Sequence, residues 1–305
     1  MEAIIQTYQL RKMFKEAEII KPLDFTLKKG EICALIGKNG AGKSTFFKML
    51  SGQLQPTSGE IQLFGQSKEA LTRAQRRMGF MIESPTFFPD FSAVQNLEYF
   101  RLQRGIVDRK KIDEVLQIVG LNKQKQKKFK AYSMGMKQRL GIALCLLSQP
   151  DCLVLDEPIN GLDTEGIIEV RNLLLKLNTE KHMTILVSSH ILTELQLVAN
   201  RFVFMKDGEI VEDLSKEELA RKSKKQLYIH VDQPAKAAQL LERTYADIQY
   251  QVLPNGAFVI QNYIEEAAQM NQLLVSHALF VTEVRVETIR LEDYFLELVG
   301  DQAYD

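Results

Sequence analysis

Gly37-Lys38-Asn39-Gly40-Ala41-Gly42-Lys43-Ser44, with Thr45 next in the chain, is the stretch that decides how this 305-residue sequence is read. It fits the pattern G-x-x-x-x-G-K-[ST], and the pattern has a physical logic. Glycines at 37, 40 and 42 let the backbone curl so that its N–H groups point inward at phosphate oxygens. A helix beginning near Ser44 adds the positive end of its dipole to the same place. Lys43 supplies a mobile ammonium for the outer phosphates, and Ser44 a hydroxyl suited to Mg²⁺. The surroundings agree. Ile32–Ile36 is short, apolar and bounded by glycines, as a buried parallel strand should be, and residues 44–50 read as a helix.

Strand-like stretches at residues 3–10 and 24–27 precede the loop, and further strands fall at 60–64 and 78–82. Residues 91–122 turn helical, with Leu97, Phe100, Val115, Leu116 and Val119 at compatible spacings. Helices at 136–147 and 164–177 alternate with strands at Cys152–Leu155, 184–188 and 202–205. Such alternation implies an α/β domain with a mostly parallel sheet. The strand Cys152–Leu155 runs into Asp156-Glu157-Pro158. In open α/β sheets ligands lie at the carboxyl ends of strands, which is where this acidic pair falls. Mg²⁺ takes one or two carboxylates and keeps several waters, a role for Asp156. Glu157 points elsewhere and is suited to polarising an attacking water.

Near residues 215–225 the composition turns short and charged, with Lys222, Lys224 and Lys225 close together. The boundary is therefore placed between 214 and 215. Beyond it lie strand patterns at 226–231, 257–261 and 280–286 and helix patterns at 235–245, 264–276 and 291–299. They suggest a small α+β unit with a split βαβ arrangement.

Ser133-Met134-Gly135-Met136-Lys137-Gln138-Arg139-Leu140 resembles the signature motif of the ABC ATPases, whose usual form is Leu-Ser-Gly-Gly-Gln followed by Lys/Arg-Gln-Arg. Asn160-Gly161-Leu162-Asp163 is similar to the family's D-loop, and Ser188-Ser189-His190 to its switch histidine. Phe14 occupies the position of the aromatic residue that stacks on adenine. The resemblance covers about residues 2 to 212, with every motif in order.

The resemblance implies an ABC ATPase domain at 1–214, with a helical signature subdomain, and an accessory domain at 215–305. It implies ATP and Mg²⁺ as ligands, with Phe14, Gly37, Lys38, Asn39, Gly40, Ala41, Gly42, Lys43, Ser44 and Thr45 at the nucleotide. Ser44, Asp156 and Glu83 are expected at the metal, and Lys43, Glu157 and His190 in catalysis. Two copies are expected to close around two ATP molecules, so that Ser133, Met134, Gly135 and Met136 of each reach the partner's nucleotide, with Asp163 in the D-loop. A separate multi-span permease completes the implied transporter, with the ATPase peripheral on the inner face of the membrane.

Three residues depart from the family pattern. Glu83, in Met81-Ile82-Glu83-Ser84-Pro85, stands where the family carries a glutamine, and Met134 and Met136 replace a glycine and a glutamine of the signature. The expectation is an active ATPase slowed by these changes. Glu83 and the altered signature, with the ending Leu291-Glu292-Asp293-Tyr294-Phe295-Leu296-Glu297-Leu298, resemble the bacitracin- and lantibiotic-type exporters.

Composition narrows the alternatives. Lys+Arg and Asp+Glu both total 39, giving a formal net charge of zero and none of the basic excess usual in nucleic-acid binders. The run Lys123, Lys125, Lys127, Lys128 and Lys130 lacks interleaved aromatics and reads as a solvated connector. Cys33, Cys145 and Cys152 sit in apolar runs without paired spacing, as buried reduced thiols would. The N-terminus lacks the regions of a signal peptide, and no run approaches the ~20 apolar residues of a spanning helix. A rival class, ABC ATPases acting on nucleic acid or the ribosome, usually carries two cassettes or a long coiled coil. This chain has one phosphate loop, one signature and no long heptad stretch.

Overall fold

The computed structural model describes residues 2–83, 86–190, 192–222 and 225–288. The chain divides into two compact units, Met1–Lys216 and Glu217–Asp305. Composition puts the boundary at 214/215; the division falls at 216/217.

The first unit opens with β1 (Ala3–Phe14), β2 (Ala17–Lys28), β3 (Ile32–Ile36), α1 (Lys43–Leu50), β4 (Ser58–Leu63), α2 (Leu71–Gln75) and β5 (Met78–Met81). Three helices follow, α3 (Ala93–Gln103), α4 (Lys110–Ile118) and α5 (Met134–Leu146). It continues with β6 (Cys152–Leu155), α6 (Thr164–Lys181), β7 (Thr184–Ser189), α7 (Leu192–Gln196), β8 (Arg201–Lys206) and β9 (Glu209–Ser215).

Six strands form the central sheet in the order β5-β6-β7-β3-β8-β9. Every pairing in it is parallel except β8 with β9. β3, β6 and β7 are buried at every residue, because helices on a parallel sheet leave neither face to water. A second, antiparallel sheet runs β2-β1-β4. This is the α/β class that the alternation of strands and helices implies.

The edges differ from the sequence expectation. β2 spans twelve residues rather than four and runs through Pro22. As an edge strand it tolerates a residue with no N–H to donate. β9, Glu-Ile-Val-Glu-Asp-Leu-Ser, was not anticipated; its charges suit an edge strand that must not recruit another. The helical run expected at 91–122 is two helices, the first ending at Gly105 with φ +66°. Ser92 and Gln95 form a capping box that starts it.

α1 is fastened to the sheet by Phe46, Phe47 and Leu50, which join Leu35, Val154 and Leu186 in one buried cluster. Each buried phenylalanine contributes about 1.5–3 kcal/mol. The loop between β3 and α1 is thus held at both ends by core. Burial also pushes all three thiols up, Cys145 to about 12.

α8 (Lys216–Lys222) begins at the boundary. The second unit then contains β10 (Lys225–Val231), α9 (Pro234–Thr244), β11 (Tyr250–Val252), β12 (Ala257–Ile260), α10 (Ala267–Ser276) and β13 (Val281–Thr288). Its sheet runs β11-β12-β10-β13, all neighbours antiparallel. β12 lies between β10 and β11, the strands that α9 connects, which is a split βαβ arrangement. Leu227, Ile229, Phe258 and Ile260 of the sheet pack with Leu241 and Leu274 of the helices. The helix expected at 291–299, and the ending at 291–298 that carries part of the resemblance, lie outside the described residues, as do Ser84 and Pro85.

Candidate functional site

The loop after β3 needs its glycines for separate reasons. Gly42 precedes α1 at φ +108°, and a Cβ there would lie 2.6 Å from Ile20 Cδ1. At Gly37 a Cβ would lie 2.6 Å from the Met205 carbonyl oxygen. Gly40 has open space around it but φ +86°, a region L residues rarely adopt. No side chain caps α1 and its first turn holds no acid, so its N-terminal N–H groups are left for an anion. The result is a cavity of about 320 Å³ lined by residues 38–45 with Ile19 and Glu157.

Lys43 is buried. Its Nζ donates to the carbonyls of Gly37 at 2.6 Å and Lys38 at 3.3 Å, and lies 3.5 Å from Glu157 Oε1. The other Glu157 oxygen lies 2.9 Å from His190 Nδ1. One carboxylate therefore joins the phosphate-loop lysine to the histidine after β7. Glu157 adopts a left-handed φ of +48°, an outlier that costs on the order of 1–3 kcal/mol for a non-glycine residue. Its N–H donates to Ser188 Oγ at 3.0 Å. The Ser188 hydroxyl in turn donates to Asp156 Oδ1 at 2.5 Å, and the Asp156 N–H donates to the Met81 carbonyl at 2.8 Å. Three adjacent strands thus fix the acidic pair. The sequence places Ser188 in the switch-histidine segment but does not give its hold on the acidic pair. The available signal was a serine inside a wholly buried strand, since a buried hydroxyl needs a partner.

The structure brings together the phosphate loop, Glu157 and His190, with Asp156 buried behind them. It does not bring the other expected residues to this cavity. Phe14 stands at the end of β1, 47% exposed, with Lys12 Nζ 5.0 Å from its ring centroid. Ser133 caps α5 by accepting the Met136 N–H at 3.3 Å, Met134 is 50% exposed, and Met136 is half-buried. At Gly135 the helices run close, a Cβ there falling 3.4 Å from Gly166 Cα. Asp163 caps α6, accepting the Gly166 N–H at 2.9 Å. Glu83, expected at a metal, lies 2.6 Å from Lys48 Nζ and is 70% exposed.

Among the described residues no group of three or more His, Cys, Asp or Glu side chains is arranged to hold a metal. One carboxylate and one hydroxyl, Asp156 and Ser44, suit Mg²⁺ arriving with phosphate and water ligands of its own, rather than a caged ion. Among the described residues no helix is long and apolar enough to cross a membrane.

Comparison with known proteins agrees with this geometry. A family model described as ABC transporter matches residues 20–160. The bacitracin transport ATP-binding protein BcrA of Enterococcus faecalis is 36% identical over 98% of this chain and 97% of its own length. Its counterpart from Bacillus licheniformis is 37% identical over 98% of each. The lantibiotic transport ATP-binding protein SrtF of Streptococcus pyogenes is 39% identical over 68% of this chain and 89% of its own. A dimeric ATP-binding cassette solved in a post-hydrolysis state with ADP and Pi superposes with a TM-score of 0.62 at 26% identity, covering 70% of this chain and 99% of that one. A phosphate-loop cavity lined by a glutamate that a histidine holds, and relatives that match nearly end to end, lead to one conclusion: the chain belongs to the ABC transporter family, as an ATP-binding subunit with the family's ATPase cassette.

Proposed function

We propose that this chain hydrolyses ATP between its own phosphate loop and the signature segment of a second copy, driving a separate multi-span permease that exports a peptide antibiotic or similar compound. The observation that carries the reading is the match to the two bacitracin transport ATP-binding proteins. It spans both units of this chain and nearly all of theirs. In this reading residues 1–214 bind nucleotide, residues 215–305 are an accessory domain, and the protein works at the inner face of the membrane through its permease.

The residues divide the work accordingly. The loop N–H groups and the head of α1 receive the phosphates, and Lys43 leaves its carbonyl partners for the outer phosphate oxygens. Asp156 and Ser44 would hold Mg²⁺, which supplies charge neutralisation at the phosphates. Glu157 orients the attacking water, and His190, already 2.9 Å from it, fixes the carboxylate's direction. Ser133 and Gly135 head a helix whose exposed start suits an anion held by another copy. Such chemistry is mostly positioning and charge stabilisation, so closing two copies together switches it on.

A Glu157→Gln variant tests the sandwich. It should bind ATP, lose turnover by about 100-fold or more, and run as a dimer on size-exclusion chromatography only with ATP present. A monomer under those conditions would rule the sandwich out. Purification of the tagged chain from gently solubilised membranes tests the permease. A multi-span protein in stoichiometric amount is expected; ribosomal or nucleic-acid partners instead would favour the rival class.

A further inference from the structure

α1 carries a second lysine, Lys48, one and a half turns beyond Lys43, and it faces Glu83 at 2.6 Å. Glu83 follows β5 closely, two residues after Met81, whose carbonyl accepts the Asp156 N–H. It therefore leaves the sheet at the same edge as Asp156 and Glu157. Glu83 thus adds a third carboxylate to the end of the sheet that carries Asp156 and Glu157, beside a loop suited to a polyanion, where Lys43 is already engaged with Glu157. A further negative charge beside the loop opposes phosphate binding unless it is compensated.

The backbone at Glu83 has φ +64°, and its side chain does not line the phosphate cavity. The carboxylate is turned outward, onto the flank of α1. An ion pair this exposed adds little to folding stability, so its consequence lies in where it holds the charge.

We propose that Lys48 is a positioning residue: it keeps the Glu83 carboxylate neutralised on the side of α1, so that nucleotide can bind at the head of the same helix. The inference rests on the ATP-binding reading above. It also gives the departure at residue 83 a compensating partner, because an acid there is workable when Lys48 accompanies it.

Three variants test it: Lys48→Met, Glu83→Gln and the two combined. The readout is equilibrium binding of a fluorescent ATP analogue, with EDTA and then with Mg²⁺, at low and high salt. Lys48→Met should weaken binding by roughly three- to tenfold at low salt, and the loss should shrink as salt screens the charges. The combined variant should bind within about twofold of Glu83→Gln, because no acid then needs compensating. Thermal unfolding midpoints should stay together across the set. Unchanged affinity in Lys48→Met would overturn the proposal. So would a combined variant as weak as Lys48→Met, which would mean that Lys48 acts on the phosphates directly. Failure of the unsubstituted chain to bind would overturn the ATP-binding reading and this inference with it.

Discussion

Replacing Ser188 with alanine would leave the Asp156 carboxylate and the Glu157 N–H, both at the end of β6, without the hydroxyl that each uses. Loss of one buried partner typically costs about 1–3 kcal/mol, and here it also frees the left-handed turn at Glu157. We expect Ser188→Ala to lower stability by that amount in urea unfolding and to cut steady-state ATP turnover by about tenfold. Ser188→Thr, which keeps the hydroxyl, should stay closer to the parent on both measures. His190→Ala removes the other support of Glu157 and should cut turnover by about 100-fold or more, with nucleotide affinity little changed in the same fluorescence assay. Lys43, Asp156, Glu157 and His190 were legible in the sequence because each belongs to a short local pattern. The contacts made by Ser188 and Lys48 were not, since their partners lie more than thirty residues away along the chain. Only strand order and a helix flank bring them together.

At the scale of the element, the loop and α1 act as one part. Gly42→Ala combines a φ of +108° with a Cβ only 2.6 Å from Ile20 Cδ1 and 3.2 Å from the Ile19 carbonyl oxygen, so the loop is strained where it enters the helix. We expect loss of measurable nucleotide binding and a drop in thermal midpoint. Gly40→Ala, with open space around it, should show only the backbone strain, on the order of 1 kcal/mol. α6 poses a different problem. Because Asp163 is its cap, Asp163→Ala should cost about 1 kcal/mol whatever else the residue does. Asp163→Asn retains the cap, so a kinetic defect in that variant would report on the D-loop role. Elements buried on both faces, such as β3, β6 and β7, were readable as apolar runs. The full length of β2 and the whole of β9 were not, because an edge strand answers to solvent and to the avoidance of further pairing more than to a core.

For the whole molecule, two compact units with separate cores should unfold in two steps in urea. ATP binds one of them, so at about a hundred times its dissociation constant it should stabilise that transition by about 2.7 kcal/mol and leave the other where it was. A single transition shifted as a whole would mean that the units melt together. The second unit's α+β class was legible, whereas β11, the strand that completes its split βαβ arrangement, carried too few residues to stand out from the flanking turns. The burial of all three cysteines has a practical consequence. Their thiolates are scarce near neutral pH, so native protein should resist alkylation until it is unfolded. A Met134→Cys variant, exposed at the first turn of α5, would then present a single reactive thiol, made more acidic by its place at the head of a helix. A dye attached there would turn the meeting of two signature segments into an optical signal, readable on one molecule at a time, with no native cysteine to remove.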